Sequence, residues 1–110
     1  MRQATARRPI CDDVLVVVTG RIDGSTVSAL REILHAAVDR AEGRVVIDVS
    51  GVDTIDATGL GMLVGTHRRA DALGHVVVLR DVPVRMAKLL RVTKVDRVLR
   101  SEVRLPVGAA

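Results

Sequence analysis

The chain has no phenylalanine, tyrosine or tryptophan among its 110 residues. Surfaces that bind single-stranded nucleic acid usually stack bases on aromatic rings, so this absence argues against such a partner. Cys11 is the single cysteine, which excludes an internal disulfide and fits a reducing compartment. It has no CxxC partner and reads as a small residue near a strand start. No apolar run approaches the length of a membrane span, and the N-terminus lacks the apolar core of a signal peptide. The expectation is a soluble, cytoplasmic protein without a membrane partner. His35, His67 and His75 are the only histidines, and no pair of His, Cys or acidic residues has metal-ligand spacing. Gly59-Leu60-Gly61 lacks the third glycine of a dinucleotide fingerprint, and neither a phosphate-binding loop nor a nucleophile elbow is present. These absences point away from an enzyme and call for no cofactor.

What is present is apolar and basic. Hydrophobic residues make up 48% of the chain, enough for one core and one domain. The net charge of +4 raises nucleic acid or anionic lipid as partners. Arg7-Arg8 fall in an N-terminal tail and Arg68-Arg69 on a helix, and both pairs read as solvated charges. Direct nucleic-acid binding is therefore not expected.

Residues 1–9 are polar, end on Pro9 and are expected to be a disordered leader. The domain is expected over 10–105, with 106–110 as a C-terminal tail. Ile10 and Cys11 could begin an edge strand. Val14 to Thr19 is a continuous apolar run ending at Gly20, a buried strand. Asp23-Gly24-Ser25-Thr26 has turn and N-cap chemistry, and Asp23 is expected to cap the following helix. That helix carries Val27, Leu30, Ile33, Leu34, Ala37, Val38 and Ala41 inward, and Gly43 closes it. Arg44 to Val49 is a central strand, Ser50-Gly51 a turn and Asp53 a turn residue. A second helix runs from Ala57 to Leu73, a strand from His75 to Leu79, and a third helix starts near Pro83 with Val84, Ala87 and Leu90 inward. Asp96 to Leu99 is one further turn, and Val103 to Leu105 a frayed end. Alternating strands and helices define an α/β fold: four or five mixed strands with helices mainly on one side.

The second helix is the unusual one. At about 100° per residue, Leu60, Leu63, Val64 and His67 share one side, the expected core stripe. Thr58, Met62, Gly65 and Arg69 fall opposite, with Gly61 at the edge. Two glycines in a helix each cost about 1 kcal/mol relative to alanine. Glycine lets another backbone approach, and methionine offers adaptable apolar contact. Close packing within the fold would explain the glycines equally. Asp56 is placed to cap the helix. The Thr58 hydroxyl lies in the first turn, where a phosphate would meet free N–H groups at the positive end of the helix dipole.

The segments Asp48-Val49-Ser50-Gly51 and Asp56-Ala57-Thr58-Gly59-Leu60-Gly61 resemble the signature of the STAS domain, the fold of anti-sigma factor antagonists. Gly20-Arg21-Ile22-Asp23 resembles that family's Gly-x-(Leu/Ile)-Asp, and Leu89 to Val98 its closing helix and turn. The likeness spans about Cys11 to Leu105. It implies a binding module that docks on an anti-sigma factor, a serine/threonine kinase of the GHKL type, and so releases a sigma factor. The kinase would then phosphorylate the hydroxyl at Thr58, and a metal-dependent phosphatase would restore it. The docking face implied comprises Asp23, Asp56, Ala57, Thr58, Gly61, Met62, Gly65 and Arg69, with Asp23 near Thr58 in the folded domain. Ala57 stands where the family often has serine, which leaves Thr58 as the motif's only hydroxyl. The alternative is a STAS subunit of a stressosome or a lipid-transport ABC assembly, bound constitutively.

Overall fold

β-Branched runs build the sheet. In a computed structural model, which describes residues 4–7 and 13–103, the order of elements is β1 (Ala4–Arg7), β2 (Val14–Ile22), α1 (Val27–Arg40), β3 (Val45–Ile55), α2 (Ala57–Ala72), β4 (Val77–Arg80), α3 (Val84–Val92), a 3₁₀ turn (Val95–Arg97) and β5 (Arg100–Glu102). The five strands form one mixed sheet in the order β1-β2-β3-β4-β5. β1 is antiparallel to β2, and the other neighbours are parallel. Three successive parallel crossovers step across the sheet in one direction. The right-handedness such connections keep puts α1, α2 and α3 on one face. The core lies between that face and the helices: Val16, Val18, Val45, Ile47, Val49 and Leu79 meet Leu30, Leu34, Val38, Leu63 and Leu90.

The structure corrects several expectations. Four residues of the expected leader form strand β1, because β2 would otherwise present an unpaired backbone edge. Ile10, Cys11 and the tail 106–110 lie outside the described residues. Ser50-Gly51 does not turn the chain; β3 runs on to Ile55 and takes Asp53 with it. At this point the β2–β3 register shifts, and a Cβ on Gly51 would sit 2.8 Å from Thr19 Cγ2. Glycine there serves close approach of two strands. Arg100–Glu102, at the end of the chain's last expected turn, adds β5 beside β4. Val84, expected inward, is 86% exposed, whereas Met86 and Leu90 carry the inner face of α3. Pro83 sits at the N-cap of α3, and Gly74 ends α2 with φ +77°.

Candidate functional site

The site forms where two parallel strands stop together. Ile22 of β2 is in register with Ile55 of β3, and the Asp56 N–H donates to the Ile22 carbonyl at 3.1 Å. Asp23 and Asp56 therefore leave the sheet side by side. Asp56 is extended, the shape an N-cap requires, and its carboxylate accepts the Gly59 N–H at 2.9 Å. Helix geometry leaves the N–H groups of Ala57 and Thr58 without an intrahelical acceptor. Both residues are exposed, so the Thr58 hydroxyl is open to a partner at the positive end of α2. Asp56→Ala is expected to destabilise the domain by about 1 kcal/mol, read as a lower urea midpoint at unchanged slope.

Asp23 does not cap α1. Its carboxylate accepts the Ser25 hydroxyl at 2.6 Å and the Ser25 N–H at 2.9 Å, closing a local turn. These bonds, chiefly that from the hydroxyl, hold the carboxyl below its usual range. The N-cap position of α1 belongs to Thr26, whose hydroxyl bonds the Arg21 carbonyl instead of a helix N–H. Asp23 thus stays ionised on a rigid turn, next to the strand end that holds Asp56.

Gly59 is the residue that seats the helix. A Cβ there would lie 2.7 Å from Ile22 Cγ2, 2.8 Å from Ile55 Cγ1 and 3.0 Å from the Ile22 carbonyl oxygen. The close approach rotates α2 so that Gly59, Leu60, Met62, Leu63, Thr66 and Ala70 face inward. Met62 is 3% exposed, so it is a core residue and not part of an outer face. The Thr66 hydroxyl is buried beside it and donates to the Met62 carbonyl at 2.9 Å. Val64 and His67, placed by the sequence on the core stripe with Leu60 and Leu63, are only half-buried. Arg69 is exposed but committed: it pairs bidentately with Asp39 of α1, both bonds 2.8 Å, and staples the two helices.

Gly61 and Gly65 are exposed, and a Cβ on either would meet nothing within 4 Å. Packing inside the domain therefore does not require them. The outer face of α2 is a low ledge formed by Thr58, Gly61 and Gly65. One feature was not legible in the sequence: Val52 and Ile55, at the far end of β3, form an apolar groove of about 270 Å³ with Pro83, Val84, Met86 and Leu89. Its only sequence signal was the apolar residue Val84 on a helix start. Among the described residues, no cluster of three or more His, Cys, Asp or Glu could hold a metal ion, and no helix is long and apolar enough to cross a membrane.

The STAS family model described as Mlab, STAS domain, matches residues 11–101. The chain belongs to the STAS domain family. Solved structures share its fold. An anti-sigma-factor antagonist (STAS) domain protein from Planctomyces limnophilus aligns with a TM-score of 0.79 at 19% identity, covering 96% of this chain and 93% of that one. An anti-sigma factor antagonist from Mycobacterium paratuberculosis aligns at 0.73 and 26% identity, covering 89% and 82%. The Bacillus cell fate determinant SpoIIAA in its phosphorylated form aligns at 0.71 and 16%, covering 96% and 95%.

Proposed function

We propose that this protein is an anti-sigma factor antagonist, a binding module that docks on a GHKL-type anti-sigma kinase and is switched off by phosphorylation at Thr58. The observation that carries the reading is the ledge on α2. An exposed hydroxyl stands at a helix N-terminus beside two glycines whose smallness the fold itself does not use. A partner backbone approaches such a ledge closely. Asp23, Asp56 and Ala57 rim it, Gly61 and Gly65 floor it, and Thr58 is the phosphate acceptor. Met62 acts from below by fixing the helix, and Arg69 by tying α2 to α1. The 26% identical anti-sigma factor antagonist and the phosphorylated form of SpoIIAA are relatives in keeping with this role. A metal-dependent phosphatase would return the hydroxyl.

The second reading is a constitutive STAS subunit of a transporter or stressosome assembly. It draws on the family model's description as Mlab and on the similarity to RsbS of Moorella thermoacetica. Incubation of the protein with ATP and lysate of its native host separates the two. The switch reading expects one phosphate on the wild type and none on Thr58→Ala, as read by intact-mass spectrometry. An unmodified wild type in a lasting stoichiometric complex with a transporter ATPase supports the second reading.

A further inference from the structure

Charge on this protein is unevenly spent. Arg44 pairs with Asp13 and Glu102, Arg69 with Asp39, and Arg80 with Glu102. The stretch from α3 to β5 differs. Arg85, Lys88, Arg91, Lys94, Arg97 and Arg100 recur at every third residue, and all six are exposed. None of them makes an ion pair or a side-chain hydrogen bond among the described residues. Asp96 is the only acid from Val84 to Arg100, a local excess of five positive charges on a chain whose total is +4. Helix stability does not explain the pattern. α3 has no acid in its first turn and places Arg85 there, at the end where the dipole disfavours a cation.

The same stretch holds the exposed aliphatic residues. Val84 is 86% exposed, Val92 69%, Val98 44% and Val103 81%; elsewhere only Leu73 among the described large hydrophobics is exposed. On α3 the two features coincide. Val84, Arg85, Lys88, Arg91 and Val92 share the outer arc, while Met86 and Leu90 hold the helix to the core.

We infer that the outer face of α3, with the basic stretch that follows it to β5, is a peripheral docking surface for an anionic phospholipid bilayer. Lysine and arginine stems reach outward to headgroup phosphates, and the valines between them enter the boundary of the acyl region. Duplex nucleic acid would satisfy the cations but offers no apolar layer to Val84 and Val92. The expectation of no membrane partner rested on the missing apolar span. A missing span excludes crossing a bilayer and leaves open resting on one. Each cation near such a surface contributes about a fivefold gain in affinity, so the association is weak, reversible and salt-sensitive.

The test is sedimentation of the full chain with vesicles of phosphatidylcholine containing about one-third phosphatidylserine, at about 0.1 M salt. The wild type is expected to bind these vesicles and not pure phosphatidylcholine. Lys88→Gln/Arg91→Gln is expected to bind about thirtyfold more weakly. Arg31→Gln/Arg68→Gln removes the same charge from the exposed faces of α1 and α2 and is expected to change binding about threefold at most. Val84→Ser/Val92→Ser, with charge intact, is expected to weaken binding severalfold. Circular dichroism of each variant verifies the fold. Equal loss in the two charge variants would overturn the inference by tracing binding to net charge alone. Failure of the wild type to bind, or tighter binding to a duplex DNA oligomer than to vesicles, would overturn it as well.

Discussion

A phosphate on Thr58 is expected to weaken binding to the anti-sigma kinase by about a hundredfold or more. The hydroxyl stands exposed in the first turn of α2, with the ionised Asp23 on the neighbouring turn and the Asp56 carboxylate capping the same helix end. A dianion there finds the Ala57 and Thr58 N–H groups, which accommodate it without unfolding the helix. The domain thus stays folded while the ledge gains negative charge. A partner lying close over Gly61 and Gly65 must then desolvate a dianion where it met a neutral hydroxyl, which costs several kcal/mol. Thr58→Glu should reproduce much of the loss. Thr58→Ala should bind near the wild-type level but lose sensitivity to ATP. Titration calorimetry against the purified kinase checks all three. Equal affinities for wild type and Thr58→Glu would remove Thr58 from the interface.

Gly59→Ala and Gly61→Ala should move stability in opposite directions, although they lie two residues apart on one helix. At position 59 the added methyl meets Ile22 and Ile55 at under 3 Å, together with the Ile22 backbone. The overpacking outweighs the gain in helix propensity, for a net loss of about 2 kcal/mol and a Tm lower by roughly 10 °C. At position 61 nothing opposes the methyl, so alanine should stabilise by about 1 kcal/mol. Gly61→Ala should nonetheless weaken partner binding, since it raises the floor of the ledge. Thermal unfolding of both variants, paired with partner titration, reads the two effects. A destabilised Gly61→Ala would mean that the glycine serves the fold.

The α/β class and the central strands were legible because strand and helix alternate and the runs at Val14–Thr19 and Arg44–Val49 are continuously apolar, as buried parallel strands must be. The cap at Asp56 was legible from residue type alone. The orientation of α2 was not. A hydropathy stripe centres on the largest apolar residues, here Leu60 and Leu63, and takes in Val64 and His67 beside them by helical position. The true inner face is set by Gly59, Thr66 and Ala70, small residues that let the helix sink onto Ile22 and Ile55. That rotation carries Met62 inside, and Arg69 is drawn to Asp39 by an acid on another helix that no local pattern reveals. β1 and β5 were missed for a related reason. Edge strands of three or four residues are specified by the neighbour they pair with, and their own sequences, Ala-Thr-Ala-Arg and Arg-Ser-Glu, hold a single β-branched residue and no aromatic between them.

If the α2 ledge docks a kinase, charge at Thr58 ends the docking. The most direct test is a pull-down from native host lysate, read by mass spectrometry, with wild type beside Thr58→Glu. A GHKL-type kinase captured by the wild type and lost with Thr58→Glu is the predicted result. Capture of the same partners by both forms would contradict it and leave the domain as a constitutive scaffold.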